Sequence, residues 1–521
     1  MTTPLENILQ RLRQMPMVVA LPIVVAGVLC ADATGMPLWV ASILFPISFL
    51  TALKWRRFTL LALAIFLAGA LSLSLRREGE HIPSHRTCME LRLKHITHED
   101  DSLRQFASTL LAYDELGVLR RSHSSIRVTT PLAAKCCEGG HIVIEGSVRS
   151  HNPSTDYGSY MLRKGVVGSI KVQQQDIISL REGFMLGAWL QQKAQLRIGK
   201  LSLSESTQSI ATAISIGRQS RITPSQRHNY TLSGGSHLLA VSGLHVGFVF
   251  VIINLLLLPL SRFRGGAVLR SLLACTLIWC YALMAHSSPS VVRAATMLTI
   301  FQLSLMLGSG NMRLNSLCFT VFVMILWDGR TIYDAGLLLS FIAVAAIVEW
   351  AVPLLRLIFR GNEQTLPQHL KRQHPILGPL KNVARYAMQW IISASVVSLV
   401  ANIATLPLAS HLFGKFSLWG IVVGAPMVAL CSIATMTLLM WILLPIPPLA
   451  GVASWVVETT VGAMNRMAEW CAAEDAINFT VQIGEVSCWL IYTAYLLITV
   501  ALWSINKKDR LNSKPFSLSK I

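Results

Sequence analysis

Residues 237–260 read HLLAVSGLHVGFVFVIINLLLLPL, an apolar run that opens on His237, Ser242, Gly243 and His245. Polar groups at membrane depth are costly, so they tend to be kept for a function. Three chemistries suit these residue types: a metal site, a nucleophilic pair, or the lining of a path. His237 and His245 are eight residues apart. On a straight helix that is about 800°, which puts them on different faces. With no HExxH and no carboxylate in the motif, spacing counts against a metal. Ser242 and His245 stand at i and i+3 and can touch. A hydrolase would also need an oxyanion hole and a group orienting the histidine, and no GxSxG is present. Gly234, Gly235, Gly243 and Gly247 narrow this stretch. Gly243 and Gly247 form GxxxG, which permits close helix approach. Packing is expected of Gly247, and either packing or space for a ligand of Gly243.

Arg293, in SSPSVVRAATM, needs a partner if buried. Asp328 or Asp334 would supply an ion pair. A phosphate is the functional alternative, since the planar fork suits it. HITHED, 95–100, carries ligand-type residues at weak spacing and is expected to be a solvated loop. Of ten cysteines, Cys88, Cys136 and Cys137 lie in a polar region. A disulfide from Cys88 to Cys136 or Cys137 is open to them in an oxidising compartment. No GxxxxGK[ST] is present, so no nucleotide-burning P-loop and no cofactor are expected.

The elements that must carry these residues are mostly membrane spans. Only 14% of the 521 residues are charged and mean hydropathy is +0.53, well below the charge and above the apolarity of a soluble domain. We expect a polytopic α-helical membrane protein of about 12 spans. Runs near 16–31, 37–53 and 58–75 form an N-terminal three-span segment (1–75). The first is read as an uncleaved helix although Arg11 and Arg13 give it a signal-like start. Residues 76–204 contain no span, and alternation in HIVIEGSVRS and KGVVGSIKV predicts a β-rich domain. Further spans are expected near 237–260, 267–286, 291–308, 314–327, 334–355, 386–409, 417–444, 448–464 and 485–505. They define a membrane domain over 205–505 with a tail at 506–521. Pro289, Pro353, Pro407 and Pro426 suggest broken helices, which are tolerated where freed backbone groups line a cavity.

Basic clusters set the orientation. KWRR, the Arg262–Arg270 loop, Arg313, the long basic loop after 355 and Lys507–Lys508 all fall on one side, the cytoplasmic one. Both termini are then cytoplasmic, and 76–204 lies outside. Net charge is +19, but the external domain holds only 18 Lys+Arg against 13 Asp+Glu. Most of the basicity therefore belongs to cytoplasmic loops and does not by itself argue for a nucleic-acid partner.

HLLAVSGLHVG resembles the signature of the ComEC family of competence proteins. SPSVVRAATM, DGRTIYDAGLLLSFIAVAAI and ATLPLASHLFGKFSLWGIVVGAPMVAL resemble later family segments in the same order, and NPSTDYGSYMLRKGVVGSIKV resembles the end of its extracytoplasmic domain. The resemblance implies an OB-like fold for 76–204 and a channel in the bacterial cytoplasmic membrane that passes single-stranded DNA inward during natural transformation. Its path or gate would be lined by His237, Ser242, Gly243, His245 and Arg293. Implied partners are membrane lipid, a DNA receptor outside, a cytoplasmic ATPase or helicase, and a second copy of the chain. Many family members carry a metallo-β-lactamase-like nuclease domain with an HxHxDH motif. That motif is absent from this sequence, so a non-enzymatic channel is expected, with any nuclease acting separately. OB folds stack bases on aromatics, and Tyr113, Tyr157, Tyr160, Phe184 and Trp189 are the candidates. Rival readings are a transporter of a smaller anionic or lipid-linked substrate, and an intramembrane serine hydrolase.

Overall fold

A computed structural model describes residues 14–505, apart from 360–376 and short stretches elsewhere. The tail and most of the long basic loop lie outside the described residues. Each predicted span contains a helix, but not every helix fills its span. Among the described residues seven helices are long and apolar enough to cross a membrane. They fall in α1 (Pro16–Thr34), α2 (Leu38–Trp55), α3 (Phe58–Glu78), α9 (Gly266–Met284), the α12–α13 unit, α14 (Leu377–Phe413) and α15 (Gly424–Leu443). Three more are apolar but shorter: α8 (Gly243–Leu256), α11 (Arg313–Trp327) and α17 (Glu485–Ile505). Neither α10 (Pro289–Met306), which carries Arg293, nor α16 (Ala450–Ala473), which carries Glu458, Arg466 and Glu469, meets that standard.

The prolines mostly begin helices. Pro289 opens α10 and Pro426 sits in the first turn of α15, where a missing N–H costs no intrahelical bond. Pro407 lies inside α14. Pro353 follows a π-turn at Ile347–Ala351 that joins α12 (Ala335–Ala346) to α13 (Val352–Phe359). The π-turn accommodates the hydrogen bond that a proline cannot donate.

The N-terminal segment packs through small residues. A Cβ on Gly27 would sit 1.9 Å from the Phe66 carbonyl oxygen, and one on Gly69 2.3 Å from that of Val24. Only glycine lets α1 and α3 cross so closely. Val24, Val28, Ala31, Ala70 and Leu73 then share a core with Val321, Ile325 and Leu337 of α11 and α12. A second core joins α5 (Leu186–Ile198), α6 (Glu205–Ile216), α8, α9, α15 and α16. Within it α6 is buried on nearly every face from Thr207 to Ile216, more than the one-sided burial its composition suggests.

Residues 87–181 form the sheet domain: β1 (Thr87–Glu99), β2 (Leu103–Glu115), β3 (Val118–Arg121), β4 (Ser125–Pro131), β5 (His141–Gly146), β6 (Arg149–Ser150), β7 (Val166–Lys171) and β8 (Ile177–Arg181), with α4 (Asp156–Arg163) before β7. Alternating burial along β4 and β5 points Ile126, Val128, Ile142 and Ile144 into a core with Leu91, Leu93, Phe106 and Leu110. β1 pairs antiparallel with β2 and β5, β2 with β4, and β4 parallel with β7. β6 pairs with β7 and follows β5 after two residues, so the pairing path returns to its start.

Two sequence expectations are corrected here. HITHE of HITHED is not a loop; it ends β1, where register shifts at Leu93/His95 and Ile96/His98 bend the strand. The cysteines are free. Gly139 donates to the Leu93 carbonyl, which holds the neighbouring Cys136 and Cys137 at that level of β1. Cys88 stands five residues back along the strand, about 17 Å at the usual rise. A disulfide requires Cα atoms within about 7 Å.

The sheet core and the helical core share no residue. A polar junction joins the two bodies. Gln191 of α5 donates from Nε2 to the Ile216 carbonyl (2.9 Å) and faces His286 Nδ1 at 2.8 Å. The carbonyl fixes the amide orientation, so Nδ1 accepts. The proton of His286 is then on Nε2, which donates to Glu138 of the sheet domain at 3.1 Å. Glu99 bridges Arg104 (2.6 Å) and Arg218 (3.4 Å) beside it.

Candidate functional site at the N-terminal end of α8

The 237–260 stretch is not one helix. Ser236–Leu239 is a 3₁₀ turn, Ala240 and Ser242 are extended, and α8 starts only at Gly243. Ser242 is its N-cap residue and His245 its third. The Ser242 backbone N–H donates to His245 Nδ1 at 3.0 Å. Histidine here does what Glu or Gln does in a capping box. With Nδ1 accepting, Nε2 carries the proton and faces Cys431 Sγ of α15 at 3.3 Å. His245 is 1% exposed, so the ring bolts α8 to α15 and does not face an open path in this conformation. Ser242 Oγ lies 3.5 Å from Nδ1. That nitrogen is already occupied, and among the described residues no carboxylate orients the ring.

His237 is exposed at the mouth of this break, its Nδ1 donating to the Gly234 carbonyl at 3.1 Å. Gly243 is also exposed, and a Cβ on it would meet only Ala294 of α10, at 3.6 Å. A Cβ on Gly247 would meet nothing within 4 Å. The expectation of packing at Gly247 is therefore corrected: GxxxG does not form a helix crossing here, and its second glycine leaves open space.

Contact through Ala294 sets this end of α8 beside Arg293, which is 5% exposed. Nη1 donates to Asp334 Oδ2 at 2.9 Å. Asp334 Oδ1 in turn caps α12 by accepting from the Gly336 N–H at 2.9 Å. The guanidinium lies over Gly336, where a Cβ would come within 3.0 Å of Nη2. Asp328 caps the turn that follows it by accepting from the Arg330 N–H. Of the two aspartates weighed from sequence, Asp334 is the one that meets Arg293, and the pair is structural in the conformation seen. Sequence reasoning missed Cys431 and Gln191. Both partners come from elements far along the chain, and no local signal marks them.

In the sheet domain Tyr113 is buried in the core. Tyr157 and Tyr160 are exposed on α4. Arg127 Nη1 donates to the Tyr157 hydroxyl at 2.8 Å, and the His151 ring meets Tyr157 edge-on at 5.7 Å. Phe184 and Trp189 are exposed where the sheet domain meets α5. Among the described residues no three His, Cys, Asp or Glu side chains are grouped to hold a metal.

Seven apolar helices of membrane-crossing length, a polar break at the start of α8 and a separate sheet domain define a membrane protein. Residues 214–508 match the competence protein family. The chain belongs to that family. It is similar to ComE operon protein 3 of Bacillus subtilis (strain 168), 22% identical over 375 residues, covering 70% of this chain and 44% of that protein. It is also similar to an uncharacterized protein of Aquifex aeolicus (strain VF5), 34% identical over 145 residues, 28% of this chain and 33% of that one. The chain thus spans less than half the length of these curated relatives. No solved structure matches it.

Proposed function

We propose that the protein passes single-stranded DNA across the bacterial cytoplasmic membrane during natural transformation. The observation that carries this reading is the family match across 214–508, the part of the chain that holds the broken entrance at α8. In this reading both termini are cytoplasmic and the sheet domain is external, which the positions of the basic loops support. We read the sheet domain as OB-like; its antiparallel path, parallel β4–β7 pair and the short β6 that follows β5 and pairs with β7 support that reading. Tyr157 and Tyr160, beside Arg127 and His151, offer stacking faces next to positive charge. DNA enters at His237 and moves along the open side of α8 at Gly243 and Gly247. Ser242, His245 and Arg293 hold the rim that shapes this entrance.

In this reading the chain acts as a channel. A receptor outside hands DNA to the sheet domain, and an ATPase or helicase inside draws it through. The hydrolase reading is disfavoured, because the backbone N–H of Ser242 occupies the nitrogen that would take the serine proton. Binding of a short fluorescent oligothymidylate to the purified chain in nanodiscs tests the cargo. Single-strand binding that weakens steeply with salt is expected, and equal affinity for an uncharged peptide nucleic acid would refute it.

A further inference from the structure

We infer, resting on the proposed cargo, that α5 and α6 form a re-entrant hairpin whose polar face is a groove for the phosphate backbone of a single strand. Gly187 of α5 lies against Leu283 at the end of α9, where a Cβ would come within 2.4 Å of the carbonyl oxygen. Ten residues on, Arg197 donates to the Ile442 carbonyl, and its own carbonyl accepts from Trp441 Nε1 at 2.8 Å. Trp441 is itself ten residues past Cys431, which meets His245 at the break. So α5 descends along the spans by about 15 Å. The chain turns over 199–204, where the Ser202 N–H donates to Ser454 Oγ near the start of α16 at 3.2 Å. α6 brings it back: the Ile216 carbonyl accepts from Gln191, and a Cβ on Gly217 would stand 3.5 Å from both the Ala285 carbonyl oxygen and Val241. The hairpin therefore enters and leaves at one end of the bundle, beside the break before α8.

Ala188, Gln192, Gln195 and Gly199 recur at i, i+4, i+7 and i+11, one stripe of α5. The stripe floors two adjoining cavities of about 580 and 420 Å³, which share Gln192 and Arg218. The first lies against the sheet domain and is electrically mixed, with Arg104 and Arg218 facing Glu138 and Glu182. The second runs down α5 and is lined by Gln192, Gln195, Gln208, Lys200 and Arg218, with no acid among the described residues. Arg218 is held at its rim by Gln195 Oε1 at 2.6 Å and by Glu99 at 3.4 Å. Gln192 and Lys200 are exposed. Exposed amides are costly against hydrocarbon, and glutamine is too short to reach the interface from this depth, so the stripe faces water. Amide and cation donors with no carboxylate among them suit a phosphate. No acidic residue occurs over 183–204, so a polyanion meets no repulsion along the descent.

The test uses the full chain in nanodiscs. Gly199→Cys puts a thiol in the lower groove, where a Cβ meets nothing closer than 3.4 Å. Leu277→Cys, on the exposed apolar side of α9, is the lipid-facing control. The reagent is the impermeant anion methanethiosulfonate ethylsulfonate, and the reaction of the parent chain's own cysteines is subtracted. Gly199→Cys should react and Leu277→Cys should not. Oligothymidylate at ten times its Kd, fixed by anisotropy on the same sample, should slow the Gly199→Cys reaction about tenfold. Lys200→Gln should lower the log–log salt slope of oligothymidylate binding by about 0.7. A Gly199→Cys thiol that does not react overturns the groove whatever the cargo. A reaction left unslowed by bound oligothymidylate, or a salt slope unchanged in Lys200→Gln, overturns this inference alone. Absence of any oligothymidylate binding overturns the proposed function along with it.

Discussion

Arg293 and Asp334, forty-one positions apart, meet at 2.9 Å and tie the first turns of α10 to the cap of α12. The guanidinium is buried and its Nε has no partner, so the aspartate is its main compensation. Asp334→Ala should destabilise the protein by about 3 to 5 kcal/mol, because it leaves a buried charge alone and uncaps a helix. The double variant Arg293→Met, Asp334→Leu should be less harmful than that single change. Thermal unfolding in detergent reads both. A double variant as unstable as the sum of the singles would contradict the pairing.

Gly336 lies beneath the same guanidinium. Gly336→Ala should push the arginine away, since the new methyl would sit 3.0 Å from Nη2. A fall in melting temperature is expected, and it should be absent when Arg293 is first replaced by Met. Equal losses in both backgrounds would mean the glycine serves the backbone instead.

Ser242 contributes its backbone N–H to His245. Ser242→Ala should therefore leave DNA uptake near the wild-type level, whereas His245→Ala should cost about 1 kcal/mol of stability as a lost cap. Transformation frequency and melting temperature separate the two. Abolished uptake in a folded Ser242→Ala protein would revive the hydrolase reading.

The break at HLLAVSGLHVG shows how far the sequence could be read. The apolar runs gave the helix positions because bilayer thickness fixes their length. The same runs hid the break, since Leu238, Leu239 and Val241 are buried whether the backbone is 3₁₀, extended or α-helical. A signal was present: Ser-x-x-His has the spacing of a capping box, with His in the usual place of Glu or Gln. Gly247 was misread because GxxxG specifies a narrow surface, not what lies against it. HITHED was misread because charge suggested solvent, while the period-two pattern of Leu91 and Leu93 already ran toward it. Cys431 could not be found, since its meeting with His245 depends on how α15 packs.

The junction between sheet domain and helices should respond to acid. Burial, then the neighbouring His286, lowers His95 from 6.5 to about 4. Burial pushes Glu138 up, but the hydrogen bond from His286, that from the Ile96 backbone N–H and the charge of Arg218 outweigh it and hold its carboxyl below the usual range. Both groups bind protons more readily when unfolded, so their contribution is complete above about pH 6.5 and falls as pH drops toward 4. Hydrogen exchange along 136–140 and 283–288 should quicken over that window. Glu138→Gln should remove the carboxylate's share of the change, and an unaltered profile in that variant would contradict the assignment.

On the sheet domain, Tyr157→Ala and Tyr160→Ala should each weaken oligothymidylate binding by about 1 to 3 kcal/mol, the usual worth of a stacked base. Tyr113→Ala should instead unfold the domain, since that ring belongs to its core. Fluorescence anisotropy with a circular-dichroism check distinguishes the two. Unchanged affinity in both surface variants would move the nucleic-acid face elsewhere.

The central claim is that a strand travels along the open side of α8. Gly247→Leu tests it most directly, because a Cβ there meets no atom within 4 Å, so the side chain starts into open space. The measurement is the amount of labelled DNA reaching the cytoplasm in a deletion strain complemented with either protein. The account predicts normal protein levels, normal surface-bound DNA and a severe loss of internalised label with Gly247→Leu. Internalisation equal to wild type from a well-expressed Gly247→Leu protein would contradict it.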